Sequence, residues 1–446
     1  MLEDSPLSCV GVVAGSRQVP PTSLPIAIAG HGAHSTATTV ADPLELNALL
    51  FTAGVKRILL ISFDLLYVGR TLDSALRSAL ASRYGLADSS IFFFASHTHF
   101  APPTDPELPE LGPYDSAYCE HVKEAALGLI DELFHDTPIP CRLAVRRGQL
   151  AHSVNRRRPR LAPSFTRSWG LSFDRVTFAP YPGGERDDTA TVVTLCNAAT
   201  GTPLAILWHY ACHPVAHTPA HVTSADYPGT TRLHLRRAAG DTLPILFMQG
   251  FCGDVRPNVE TRKALLFRDR MLSSARDLIA GTPAMESTAE AWHAWAESLA
   301  EGVVRISNTN PVLEEEVVSC ESTRLEVPLK KIFDGKLRVE SMAIAGILLG
   351  QHLELIGFGA EPSAGWRDLL KDCIGPSVQF TLYAGYLGSV FGYLPLPRQL
   401  AEGGYEVTNF QQSFAMRGRF RPATLFQSIA DAVNQVDRAL RSNSIN

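Results

Sequence analysis

Five short segments of the chain put metal-binding or proton-transferring side chains just after apolar runs. The first is Ser96-His97-Thr98-His99, directly behind IFFFA. Residues two apart on a strand face the same way, so His97 and His99 can share a metal ion or serve one substrate. The second carries His209, His213, His217 and His221, four residues apart. On a helix that spacing would make one ligand face, but Pro214 and Pro219 oppose a helix. The preceding PLAILWHYAC reads as a strand, so His213 is expected at a strand end, with His217 and His221 in a loop. One metal ligand is expected from this segment.

The third segment, residues 247–258 (FMQGFCGDVRPN), runs from a buried strand into a Gly/Asp/Pro/Asn turn. The fourth is Glu361 in GAEP, after the strand-like LELIGF. A glutamate there can be a hard ligand, a general base, or an N-cap for a helix beginning near residue 364. The fifth pairs Tyr393 with Tyr405 and Glu406 in a Gly-rich polar stretch. HExxH, GxSxG, Walker A and a complete GxGxxG are all absent from the sequence. Zincin, α/β-hydrolase, P-loop and dinucleotide readings are therefore disfavoured.

The elements that position these residues alternate between strand and helix, which indicates an α/β protein with a mixed β-sheet core flanked by helices. Strands are expected over 57–68, 91–96, 189–196, 204–212, 243–249 and 353–358. Helices are expected over 70–84, 116–135, 227–239, 267–280, 284–306 and 422–442. The loop 101–113, with five Pro and three acidic residues, reads as functional. A second loop over residues 30–39 carries His31 and His34, which either face the site or, the favoured reading, face solvent or bond locally. No linker or internal repeat divides the chain, so residues 1–446 are read as one domain.

Composition narrows the function classes. The 40 Lys and Arg against 45 Asp and Glu give a net charge of −5, too mild for a nucleic-acid or anionic-membrane binder. With 45% hydrophobic and 19% charged residues the chain can bury a large core. No apolar run reaches the ~18 residues of a membrane span. The start lacks the basic and apolar regions of a signal peptide, and the eight Cys include no CxxC. A soluble, cytoplasmic protein with reduced thiols is expected, its oligomeric state unreadable.

Taken in order, these segments resemble the catalytic domain of the neutral ceramidases, a family of zinc-dependent amidohydrolases. The matching stretches are SHTH at 96–99, SVNRRRP at 153–159, WHYACHP at 208–214, GDVRPN at 253–258, GAEP at 359–362 and GYLPLPRQLAEGGYE at 392–406. Asp226-Tyr-Pro-Gly229 stands where the family has Asp-Asn-x-Gly. The resemblance implies a Zn2+ site of His97, His213, Glu361 and Tyr393, with Tyr393 bound as phenolate. It also implies that His99 and Tyr405 hydrogen-bond the carbonyl or oxyanion, and that Arg156 stabilises negative charge or holds substrate.

Two departures from the pattern bear on substrate. The family's serine in GDVSPN is Arg256 here. Covalent catalysis through that position is impossible, which leaves attack by metal-activated water. A guanidinium suits a carboxylate or phosphate better than a sphingoid chain. The family's immunoglobulin-like C-terminal domain and secretion signal are also not expected in this chain. The leading expectation is a zinc amidohydrolase acting on a small polar or anionic amide. A true ceramidase or lipid amidase, a zinc esterase or lactonase, an amide-forming or cyclising enzyme, and a non-catalytic binding protein are the alternatives.

Overall fold

The computed structural model describes residues 9–31, 35–166, 170–259, 287–333, 335–376, 378–412, 414 and 418–444. Two mixed sheets stack face to face, with helices on their outer faces. The larger has nine strands and runs in the order Ile245–Gln249, Pro203–Tyr210, Thr189–Asn197, Ile139–Gln149, Gly11–Gln18, Glu45–Ala53, Lys56–Phe63, Ile91–Ala95. Leu313–Glu316 pairs off this path, onto Ile139–Gln149. Pairing on the path is parallel only at its two ends, between Pro203–Tyr210 and Ile245–Gln249 and between Lys56–Phe63 and Ile91–Ala95. The second sheet has five strands, ordered Phe380–Ala384, Leu353–Phe358, Lys336–Leu349, Cys320–Phe333, Arg419–Phe420.

The period-two rule explains the stacking. Phe92 and Phe94 point between the sheets, where they join Leu49, Phe51, Leu60, Ala345, Ile347 and Leu355. Their neighbours Ile91, Phe93 and Ala95 point outward, into the layer of Leu72, Leu76, Leu80, Val122 and Leu129 from helices Arg70–Tyr84 and Ser116–His135. On the second sheet, Ile344 and Met342 face helix Pro422–Ser444 through Val433 and Val436. A third core packs Val192, Ile206 and Trp208 under Tyr227, Trp292, Trp295 and Leu299. Strands covered on both faces carry apolar residues at every position, which is why IFFFA reads as one continuous run.

Most expected elements are present. The expected helix over 116–135 is Ser116–His135, started by the Asp115 carboxylate, which accepts from the Ala117 and Tyr118 amides at 3.0 Å. The expected helix over 227–239 is Asp226–Ala239, with Pro228 in its first turn, where a missing N–H is harmless. The expected helix over 267–280 lies outside the described residues. The expected strand over 57–68 ends at Phe63. Asp64 leaves the ladder to accept from the Glu45 amide at 2.9 Å and to pair with Arg232 at 2.8 Å. Residues 64–69 form a turn that reaches the site.

The edges of the large sheet approach each other. Ser62 Oγ, near one edge, donates to the Phe247 carbonyl on the other at 2.7 Å. Bridges Phe94–Leu387 and Gly250–Ala384 tie both edges to the end of Phe380–Ala384 and the segment after it. The carboxyl ends of Ile91–Ala95, Pro203–Tyr210 and Ile245–Gln249 therefore deliver their loops to one place. Among the described residues no helix is long and apolar enough to cross a membrane. All eight cysteines are free thiols.

Candidate metal centre

His97 sits two residues past its strand, with its amide donating to Leu65 O at 2.9 Å. Its φ is 67°, a left-handed conformation that costs energy in a residue other than glycine. The His97 and His99 side chains still converge, but the turn rather than strand alternation brings them together. His213 lies three residues beyond Pro203–Tyr210, in a loop, as expected. His97, His99 and His213 form a group whose nearest ring nitrogens all lie within 4.8 Å of one another.

The hydrogen bonds assign which atoms face the centre. His97 Nδ1 lies 3.1 Å from Leu66 O, and His213 Nδ1 lies 2.8 Å from Cys252 O. A carbonyl can only accept, so both Nδ1 atoms carry the proton, the arrangement usual for metal-bound imidazoles. The two Nε2 atoms then present lone pairs to each other at 3.1 Å. Glu361 Oε2 lies 3.4 Å from His97 Nε2 and 3.6 Å from His213 Nε2, and has no hydrogen-bond partner of its own among the described residues. All three residues are 1% exposed, so water does not screen this gathering of electron pairs. Tetrahedral ligands on bonds of about 2.0–2.1 Å to zinc stand roughly 3.3 Å apart. The donor set therefore fits Zn2+ in type and in spacing.

Glu361 does not cap a helix; the next helix, Trp366–Leu370, is preceded by Gly365. Instead Glu361 starts a two-residue strand paired with Tyr393–Leu394, in register Glu361 to Tyr393. Its Oε1 accepts a short hydrogen bond from the Tyr67 hydroxyl. Burial pushes its pKa up, but His97, the Tyr67 hydrogen bond and Arg156 outweigh that and hold it below the usual carboxylate value. Tyr393 is buried, and burial together with Glu361 pushes its hydroxyl pKa well up, with Arg156 opposing. Arg156 Nη2 approaches the Tyr393 oxygen at 3.1 Å and the Gly253 carbonyl at 2.6 Å.

Arg156 is itself held. Its Nε donates to Glu406 Oε1 at 2.8 Å, while Arg157 Nη1 donates to Glu406 Oε2 at 2.6 Å. Burial pushes the Glu406 carboxyl up, but the two guanidiniums hold it below its ordinary value. Tyr405 is 37% exposed, and its ring packs 5.5 Å from that of Tyr393, beside the Arg156 guanidinium. Arg256 is on Val255–Pro257, opposite Val154 in the ladder, so Arg156 two residues along shares its face. Arg256 Nε is buried without a hydrogen-bond partner among the described residues. Burial and the neighbouring Arg156 charge both lower its pKa.

Both ring nitrogens of His99 are buried without hydrogen-bond partners among the described residues. Burial, then the His97 and His31 rings, drive its pKa well below 6.5. His31 corrects an expectation: its ring lies 5.5 Å from that of His99, so it faces the centre rather than solvent alone. His34 lies outside the described residues. His217 packs on Trp292, and the exposed His221 bonds Thr36 O, so neither is in the centre. Tyr67 and the Leu66 carbonyl had no signal in the sequence, because a tyrosine closing an apolar run looks like core.

No family model and no curated protein sequence matches this chain. Solved structures do. The neutral ceramidase from Pseudomonas aeruginosa superposes with a TM-score of 0.71 at 16% identity, covering 98% of this chain and 75% of that one. A ceramidase complexed with C2 superposes with a TM-score of 0.70 at 16% identity, over 98% and 76%. The protein is thus an α/β protein of the neutral ceramidase fold. The resemblance drawn from its motifs is borne out in that fold, at a sequence distance that marks it as divergent.

Proposed function

We propose that this protein is a zinc-dependent amidohydrolase that cleaves the C–N bond of a small polar or anionic amide. The observation that carries the reading is the meeting of His97 Nε2, His213 Nε2 and Glu361 Oε2 at 3.1–3.6 Å in a buried centre. These three, with the Tyr393 oxygen, would hold the ion. Zinc held there would supply Lewis acidity, polarising a carbonyl and lowering the pKa of water towards about 7. His99, held neutral by burial, keeps one ring N–H with which to donate to the carbonyl or oxyanion, and its ring nitrogens have no hydrogen-bond partner among the described residues. Arg156 keeps positive charge against the Tyr393 oxygen, and the Tyr405 hydroxyl is available to donate to the oxyanion.

Arg256 carries the substrate preference. Its guanidinium lies beside Arg156 with its Nε unpartnered among the described residues, which suits a carboxylate or phosphate on the substrate. The whole chain is read as one catalytic domain acting in the cytoplasm. A second reading, a lipid amidase, has the ceramidase names of the matching structures in its favour.

A panel of N-acyl amino acids against a short-chain fluorescent ceramide separates the two. The first reading expects turnover of the N-acyl amino acids that stops on chelation and returns with zinc. Robust turnover of the ceramide alone would replace it with the second.

A further inference from the structure

Glu361 offers two oxygens, and the structure treats them differently. Oε2 is unpartnered among the described residues and faces both Nε2 atoms, whereas Oε1 is taken by the Tyr67 hydroxyl. Tyr67 is 5% exposed, and its ring is fixed on three sides: by His97 at 5.3 Å, Tyr386 at 6.4 Å and Phe414 at 5.8 Å. Its carbonyl accepts from Thr104 Oγ1 at 2.8 Å, which ties it to the Pro-rich loop. The residue before it, Leu66, supplies the carbonyl that orients His97, and Leu65 accepts from the His97 amide. The turn 64–69 thus sets the direction of two donors at once.

We propose that Tyr67 is a positioning residue that fixes Glu361 as a one-oxygen ligand, holding Oε1 so that only Oε2 is presented to the metal. The proposal rests on the reading of Glu361 as a ligand. Without the hydroxyl, the carboxylate is free to rotate and offer both oxygens, which changes affinity and coordination number. Hydrogen bonds that orient metal ligands are commonly worth 10–100-fold in metal affinity.

The test is zinc affinity by chelator competition, with the visible spectrum of the cobalt-substituted protein as a second readout. Tyr67→Phe removes one oxygen from a stacked ring. It is expected to weaken zinc roughly 10–100-fold and to shift the cobalt bands towards higher coordination. Tyr386→Phe removes a hydroxyl that meets Cys252 Sγ at 3.1 Å rather than the carboxylate, and should leave both readouts unchanged. Thr104→Val, which loosens the turn, should weaken zinc in the same direction by less, and serves if Tyr67→Phe does not fold. Wild-type affinity and spectrum in both Tyr67→Phe and Thr104→Val would overturn the proposal. A wild-type protein that binds no metal would overturn the ligand reading itself.

Discussion

The Nε2 atoms of His97 and His213 face each other at 3.1 Å while each Nδ1 is held by a backbone carbonyl. Neither ring can rotate away without leaving a buried N–H unpaired, which costs about 1–3 kcal/mol. Two lone pairs are therefore kept in opposition, and a cation held between them and Glu361 would relieve the repulsion. Removing either imidazole should remove the metal and the activity together. His97→Ala and His213→Ala are each expected to retain well under one-tenth of wild-type zinc by elemental analysis and to lose amidase activity. Full activity in a zinc-free variant would contradict this.

Arg256 should act on substrate choice. Arg256→Ser deletes the guanidinium while sparing the proposed ligands and His99. A hydrogen bond to a charged group contributes about 1.5–3 kcal/mol, so KM for an anionic amide should rise roughly tenfold or more. For a neutral amide of the same size KM should barely move. Equal effects on both substrates would remove Arg256 from recognition.

Glu406 is 1% exposed and pairs with both Arg156 and Arg157, the latter also meeting Glu402. Breaking a buried pair by removing one partner commonly destabilises by about 3–5 kcal/mol, because the other charge stays buried. Glu406→Gln keeps the shape and removes the charge. It should lower stability by about 3 kcal/mol in denaturant titrations and reduce kcat by freeing Arg156 from its place beside Tyr393. A variant with unchanged midpoint and kcat would show that Arg156 needs no counter-charge, Arg157 keeping Glu402 at 3.0 Å.

Glu354 makes a prediction away from the site. It is fully buried, its two oxygens lack hydrogen-bond partners among the described residues, and burial, with Asp437 adding, pushes its pKa up to about 8. The folded state keeps this proton where the unfolded chain has released it. Its contribution to stability therefore falls as pH rises from the ordinary glutamate value of about 4.3 to about 8, and is level above. Glu354→Gln should be more stable than wild type by at least about 1 kcal/mol at pH 8, with the gain vanishing near pH 4. Parallel stability profiles for the two proteins would rule this out.

The sequence made the site easier to read than the fold around it. His97, His213, Glu361 and Tyr393 stand beside apolar runs, and short motifs in a fixed order are local information. The second sheet was legible only in Leu353–Phe358. Its long hairpin, Cys320–Phe333 with Lys336–Leu349, alternates buried and exposed residues over much of its length and carries Glu, Lys and Arg on the outer face. Only residues 342–349 of it, MAIAGILL, form a continuous apolar run, and that run, with a glycine and two alanines, does not tell strand from helix. Tyr67, and the role of Glu406 as opposed to its presence in a polar motif, were hidden for a different reason. Their importance lies in partners 294 and 250 residues away, Glu361 and Arg156, and only the tertiary fold reveals those. His31 was misjudged for the same reason, since nothing local places it against His99.

The central claim is that His97, His213 and Glu361 gather around a zinc ion. Anomalous diffraction from crystals of the purified protein, recorded on both sides of the zinc absorption edge, tests it most directly. The account predicts one strong peak at the position shared by His97 Nε2, His213 Nε2 and Glu361 Oε2, about 2.0–2.2 Å from each. A fully occupied crystal form with no peak there, or a peak coordinated by other residues, would contradict it.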